Sequence, residues 1–104
     1  MKKLIAIAAL LCAGAVSADD KVAVRDIHVV TAPGGFAVQG IAHNNTDAVI
    51  KNMFVNFKLY DEQGNVIGNT LANGQDIGPG ENFKFSALTP VRFAEARLSG
   101  VDTY

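Results

Sequence analysis

From Asp20 onward the chain alternates apolar and polar residues with a period of two, and clusters of Gly, Asn, Asp and Pro interrupt the alternation. No stretch there repeats at helical spacing, so the pattern predicts short β-strands joined by tight turns. The first predicted strand is Lys21 to Thr31, in which Val22 and Val24 share one face while Ile27 and Val29 share the other. An apolar set that changes sides near Arg25-Asp26 indicates a bulge, or a strand passing from one sheet to the next. A turn at "APGGF" follows, then a strand with Phe36, Val38 and Ala42 alternating and Gly40 leaving room for close packing. "HNNTD" ends that strand with residues whose side chains bond nearby backbone.

The third strand is the longest. Val49, Met53, Val55, Phe57 and Leu59 fall on one face, which is expected to be the core face. The other face mixes Asn52, Asn56 and Lys58 with Ile50, Phe54 and Tyr60, an apolar-aromatic strip on an outer surface. In "YDEQGN", Asp61 suits the first position of a type I turn and Gly64 the left-handed position after it, a three-residue hairpin loop with a glycine bulge. That loop predicts Asp61 opposite Asn65, Tyr60 opposite Val66 and Leu59 opposite Ile67. The return strand, Asn65 to about Ala72, is then expected to carry Ile67 and Leu71 inward, and "NGQD" is read as a loop. "GPGE" places Pro79 and Gly80 at the centre of a type II turn. Phe83 and Phe85 alternate on the next strand. After Pro90, "VRFAEARLSGV" reads as a last strand with Ala94, Ala96 and Leu98 inward, in preference to a short helical turn.

The fold class that follows is all-β: six or seven short strands in a small antiparallel two-sheet sandwich, with a five- or six-stranded barrel as the alternative. Two packed sheets bury both inward faces, which a single sheet of this length cannot do.

The first 20 residues change the picture. Lys2 and Lys3 precede an apolar run from Leu4 to Val16, and Val16-Ser17-Ala18 forms a small-residue cleavage site before Asp19. The reading is a signal peptide over residues 1–18 and one domain over residues 19–104, in an exported and periplasmic protein. The apolar run is shorter than the ~20 residues of a spanning helix, and no second run follows, so no membrane span is expected. A lipoprotein attached through Cys12 is the weaker alternative, because the residue before that cysteine is Leu11 where acylation wants a small one. Cleavage after Ala18 removes the one cysteine of the chain, and with it disulfides, thiol catalysis and thiolate ligands. It also removes Lys2 and Lys3, taking the formal charge from −1 to −3. A mildly acidic domain without a basic cluster is no partner for nucleic acid.

Candidate chemistry is sparse. Tyr60, Asp61 and Glu62 form an acidic, phenolic cluster, but neighbours at one hairpin tip share one environment, while catalytic carboxylate pairs need two. The local explanation is that Asp61 stabilises the turn and Tyr60 packs beside Val66. His43 and Met53, about ten residues apart, suggest a copper site of imidazole and thioether; His28 is a third candidate ligand. No later His-x-Met pair accompanies them, and Met53 falls on the core face, where methionine fills gaps. Ser86 and Ser99 lie on strands without a glycine elbow, so Ser-His-Asp chemistry has no foothold. No cofactor and no enzymatic activity are expected.

Phe57-Lys58-Leu59-Tyr60-Asp61 matches the motif for which the FxLYD domain family is named, found mainly in exported bacterial and archaeal proteins. "GIAHN" at Gly40 to Asn44 resembles that family's upstream glycine and asparagine strand. Gly64-Asn65-Val66 and "IGPGENFKF" resemble its post-hairpin segment and its proline-glycine turn with an aromatic strand. The resemblance spans about Gly35 to Val101, with Phe83 standing where relatives often carry Trp. It implies an immunoglobulin- or fibronectin-like sandwich and brings no established activity, cofactor or catalytic residue. The functional expectation is an exported, non-catalytic interaction or accessory module of the cell envelope. It would be a monomer or weak oligomer meeting an envelope protein through Ile50, Phe54 and Tyr60, unless the chain's own first strand or last loop covers that strip. A periplasmic copper-binding protein using His43 and Met53 is the alternative.

Overall fold

The computed structural model describes residues 21–104. The expected signal segment 1–18, Cys12 included, lies outside the described residues. Those residues form six strands: β1 (Val22–Ala32), β2 (Gly35–Asn44), β3 (Ile50–Tyr60), β4 (Val66–Ile77), β5 (Asn82–Thr89) and β6 (Glu95–Thr103). They make two antiparallel three-stranded sheets, ordered β1-β2-β5 and β4-β3-β6. The protein is an all-β sandwich, and among the described residues no helix is long and apolar enough to cross a membrane.

The central strands β2 and β3 supply most of the interior. Met53, Val55, Phe57 and Leu59 of β3 are fully buried and meet Val38 and Ala42 of β2 and Phe85 and Ala87 of β5. The Phe57 and Phe85 rings lie 5.6 Å apart, centroid to centroid, one from each sheet. Each large apolar side chain removed from water in this way contributes roughly 1.5–3 kcal/mol. Gly40 is required by the same contact: a Cβ there would lie 2.6 Å from Phe85 Cζ.

The turns follow the expected chemistry. Pro33-Gly34 joins β1 to β2 with Gly34 at φ +80°, and Ala32 pairs with Gly35. At the second hairpin Gly64 N donates to Asp61 O at 3.0 Å, and Asp61 N donates to Asn65 O at 2.9 Å. Gly64 has φ +85°, the left-handed residue that this loop demands. Glu81 N donates to Gly78 O at 3.1 Å across Pro79-Gly80, and Gly80 has φ +76°, as a type II turn requires.

Four irregularities decide which residues face inward. In β1, Asp26 adopts φ 59° and the register against β2 shifts between Arg25 and His28. Ile27 and Val29 thereby pack on the same core as Val22 and Val24. This is the bulge expected from the change of side near Arg25-Asp26.

The second lies just after the 61–64 loop. Tyr60 pairs with Val66 as expected, but Leu59 pairs with Gly68, leaving Ile67 unpaired. The inward set of β4 is therefore Gly68, Thr70, Ala72 and Gly74, and the expected core residues Ile67 and Leu71 stand 40% and 50% exposed. Gly74 faces inward because the Phe83 ring lies against it, where a Cβ would come within 2.7 Å. "NGQD" is part of β4, not a loop.

The third is shared by β3 and β4. Lys51 N and Asn52 N both donate to Tyr104 O, at 3.0 and 3.4 Å, the signature of a bulge. Opposite, Asp76 adopts φ 55°. Both strands change face there, so paired Ile50 and Ile77 enter the core, each 6% exposed. This corrects two expectations: Ile50 is a core residue and takes no part in an outer strip, and Val49 is 52% exposed.

The fourth is Ser99 in β6. Asn56 pairs with Gly100 and Phe57 with Leu98, so Ser99 is unpaired and both Leu98 and Val101 pack on the core. The last segment is a strand, beginning at Glu95.

One polar side chain is completely buried among these apolar ones. Asn44, at the end of β2, donates through Nδ2 to Ala48 O (2.9 Å), Ile77 O (2.9 Å) and Gly78 O (3.0 Å). Its Oδ1 accepts from Thr46 N at 2.8 Å and Thr46 Oγ1 at 2.7 Å. Its backbone N donates to Glu81 O and its carbonyl accepts from Gly80 N. One residue thus joins the end of one sheet, the 45–49 loop, the end of β4 in the other sheet and the 78–81 turn.

Two stability measurements check this packing. Phe57→Ala is expected to cost ~3–5 kcal/mol in denaturant unfolding, as for a buried aromatic, and a loss below about 1 kcal/mol would contradict its place in the core. Asn44→Asp keeps the shape but removes the amide donors, and is expected to cost about 2–4 kcal/mol by stranding buried carbonyls. An unchanged midpoint would show that those carbonyls find other partners.

Candidate functional site

The two outward faces of the sandwich differ in chemistry. On the β1-β2-β5 sheet, cross-strand pairs on the outer face are His28–Gln39–Ser86, Arg25–Ile41–Lys84 and Ala23–His43–Asn82. His28 Nδ1 donates to Asp26 O (2.8 Å) and its Nε2 meets Gln39 Oε1 (3.3 Å). Gln39 Nε2 donates to Ser86 Oγ at 3.3 Å, and His43 Nδ1 meets Asn82 Oδ1 at 2.7 Å. This is a polar surface laced with side-chain amide bonds. Gln39 stands between His28 and Ser86, so no imidazole addresses the serine hydroxyl directly.

His43 and Met53 do not form a site. His43 lies on the outer face of β2, one position from inward-facing, buried Ala42. Met53 is fully buried on the inner face of β3, in the opposite sheet. The β2 layer and the core separate the two side chains, so one ion cannot take both as ligands.

The outer face of the β4-β3-β6 sheet is where the aromatic residues stand. Its rows, read across the sheet, are Asn73–Phe54–Asp102, Leu71–Asn56–Gly100, Asn69–Lys58–Arg97 and Val66–Tyr60–Glu95. Of the residues expected to form the strip, Phe54 and Tyr60 are on this face and Ile50 is not. Both aromatics are half-buried, and the chain's own residues cover them. The Tyr104 ring meets Phe54 edge-on, with centroids 5.9 Å apart. Arg97 Cζ lies 4.8 Å from the centre of the Tyr60 ring, a cation–π contact. Arg97 in turn is bound by Glu95, Nε to Oε2 at 2.6 Å, and hydrogen bonding with the Glu95 charge raises the guanidinium pKa further.

Sequence reasoning missed the more exposed apolar members of this face. Val66 is 57% exposed and Tyr104 72%, and they join Ile67 and Leu71 around the two half-covered rings. The signal that moves Ile67 and Leu71 outward is the one-residue bulge after the loop, which alternation alone does not reveal.

Within the motif Phe57, Leu59, Tyr60 and Asp61, the roles separate. Phe57 and Leu59 are core, Tyr60 is on the outer face, and Asp61 is the turn. Asp61 Oδ1 accepts from Gln63 N and Asn65 N, both at 2.9 Å, and Oδ2 accepts from Asn65 Nδ2 at 3.1 Å. The backbone bond from Asn65, then its side-chain amide, lower the Asp61 pKa below its ordinary value; the amides of Gln63 and Gly64 add to this. Every Asp61 contact stabilises the loop, and Glu62 is exposed beside it.

No family model matches the chain, and comparison with curated proteins and with solved structures returns no similar protein.

The Asp61 contacts set a pH dependence. A carboxyl whose folded pKa is depressed contributes stability that is present above its unfolded pKa, ~3.9, and lost as pH falls through the folded pKa. The stability gap between the wild type and Asp61→Ala is therefore expected to be full near neutral pH and to narrow below about pH 4. Urea midpoints measured across this range check it, and a gap that widens on acidification contradicts it.

Proposed function

We propose that this chain is an exported, non-catalytic interaction or accessory module of the cell envelope, and that it meets its partner through the outer face of the β4-β3-β6 sheet. The observation that carries this reading is the make-up of that face. Val66, Ile67, Leu71 and Tyr104 are 40–72% exposed around Phe54 and Tyr60, on a sheet whose other face is already filled by the core. Aromatic and aliphatic groups rimmed by Lys58, Arg97 and Asp102 make the kind of surface that small binding domains present. Arg and Tyr together are typical of residues that dominate binding energy, because both release large areas of water at low entropic cost.

The export part of the proposal is supported by the residues Lys2 to Ala18 as a sequence pattern. The motif at Phe57 to Asp61 supports membership of the FxLYD domain family. Its core and turn residues are accounted for by the fold alone, which suits a motif that marks a structure and not a reaction. The copper reading has no geometry to support it, since His43 and Met53 face apart.

Photo-crosslinking in cells from position 54 and from position 60 tests the surface. Recovery of the same envelope polypeptide from both positions is expected, and its loss in Leu71→Asp, which alters an exposed residue and should shift stability by less than about 0.5 kcal/mol. Recovery of no protein from either position would sink the reading.

A further inference from the structure

The two borders of the sandwich are built differently. On one, β4 and β5 meet: Thr70 Oγ1 donates to Leu88 O, and the Phe83 ring rests on Gly74. The strands bordering the other side, β1 and β6, are not drawn together in this way. β6 is paired to β3 along one edge, and among the described residues no strand lies along its other edge. An edge of this kind presents unpaired N–H and C=O groups and is a template for strand addition.

The direction of those groups follows from the pairing with β3. Tyr104 N donates to Asn52 O at 2.9 Å and Asn52 N donates to Tyr104 O, so the polar groups of Tyr104 face β3. Along an extended chain, the side-chain face and the edge addressed by N–H and C=O alternate together. Asp102, Gly100, Arg97 and Glu95, which share the outward face with Tyr104, therefore also face β3. The inward-facing residues Ala96, Leu98, Val101 and Thr103 turn their polar groups to the free edge. The bulge at Ser99 places these four symmetrically about the Ser99–Gly100 peptide.

We infer that the free edge of β6 pairs with the same edge of a second copy of this chain, antiparallel about Ser99–Gly100, to form one continuous sheet through a two-fold axis. The inference rests on the reading of the protein as an interaction module and names one of its partners. In this register Leu98 lies opposite Val101 of the second copy and Ala96 opposite Thr103, each pair with N–H and C=O aimed at one another. The register also sets Arg97 opposite Asp102 on the outer face, twice by symmetry. Arg97 is held by Glu95 through Nε and Nη2 and lies on the Tyr60 ring, and with 61% of its side chain exposed its Nη1 is left to make that contact. Asp102 has one carboxylate oxygen engaged, Oδ2 with Asn56 Nδ2 at 3.2 Å. Other registers lose these features. A slip of one residue sets edge-facing groups against groups that face away, and a slip of two in one direction places Glu95 opposite Asp102, like against like. A strand from an unrelated protein would give no reason for the free edge and its charges to be self-complementary about one peptide.

Sedimentation velocity on the protein recovered from cells expressing the full chain tests this, over about micromolar to about millimolar concentration, the range for small polar interfaces. A reversible dimer is expected. Arg97→Asp and Asp102→Arg should each weaken it at least about tenfold through like-charge opposition, and the double variant, which restores the pair with its signs exchanged, should recover most of the loss. Thr103→Pro removes a donor from the free edge while leaving the β3 ladder intact, and should abolish the dimer with the thermal midpoint little changed. A protein that stays monomeric throughout overturns the inference, as does a dimer indifferent to Arg97→Asp. So does crosslinking from position 99 that captures a different polypeptide and never a second copy. Capture of an envelope partner from positions 54 and 60 by a protein monomeric at β6 would overturn this inference alone and leave the interaction reading standing.

Discussion

Asn44 is where the two sheets are made to agree. A sandwich of two three-stranded sheets is held mostly by apolar contact, which has no direction and tolerates sliding of one layer over the other. Asn44 removes that freedom at one end. Its amide reaches the last carbonyl of β4 and the first of the following turn, while its carbonyl oxygen holds Thr46. Because these bonds lie in a dry setting with every buried side-chain polar atom among the described residues satisfied, a shift of either sheet would leave buried carbonyls unpaired. The Phe57–Phe85 contact, the seat of Phe85 over Gly40 and the turn at 78–81 all presuppose the alignment that this residue enforces.

Much of this was legible from residue order. Turns announce themselves through local chemistry: Asp61 with Gly64, and Pro79 with Gly80, can do little else at those positions. The interior of β3 was legible because Met53, Val55, Phe57 and Leu59 are large and alternate without interruption. The bulge at Asp26 was legible because the apolar residues on its two sides visibly change phase. The bulges at Ile67 and at Lys51–Asp76 were not, and the reason is packing. The inward positions of β4 hold Gly68, Thr70, Ala72 and Gly74, and the Phe83 ring fills the space where a Gly74 Cβ would stand. Small residues inside and Ile67 and Leu71 outside invert the hydropathy expected of a strand. Asn44 is a turn-former by residue type, but nothing in "HNNTD" says that its side chain points inward, away from water.

The same inversion explains why the candidate surface was only half seen. Phe54 and Tyr60 stand on the outer face as alternation requires, yet neither is bare: Tyr104 and Arg97 lie against them. The exposed apolar area belongs to their neighbours, displaced outward by the bulge after the hairpin. The polar face of the opposite sheet, with its chain of His28, Gln39 and Ser86, offers hydrogen bonds already spent on one another. An asymmetry between a closed, self-satisfied face and a partly apolar one is what a small domain needs in order to present one side to a partner.

Four irregularities in the six described strands also bear on heredity. In a regular strand a codon lost or gained turns every later side chain to the wrong layer, so such changes are normally purged. Here Ile67 is the residue out of step, and deleting its codon would restore regular pairing while leaving Leu71 outward and Ala72 inward. Loss of a codon at Ala72 or beyond would instead exchange the interior and the exterior of the rest of β4. A bulge is thus the place in a strand where one codon can be lost while surface and interior keep their residues.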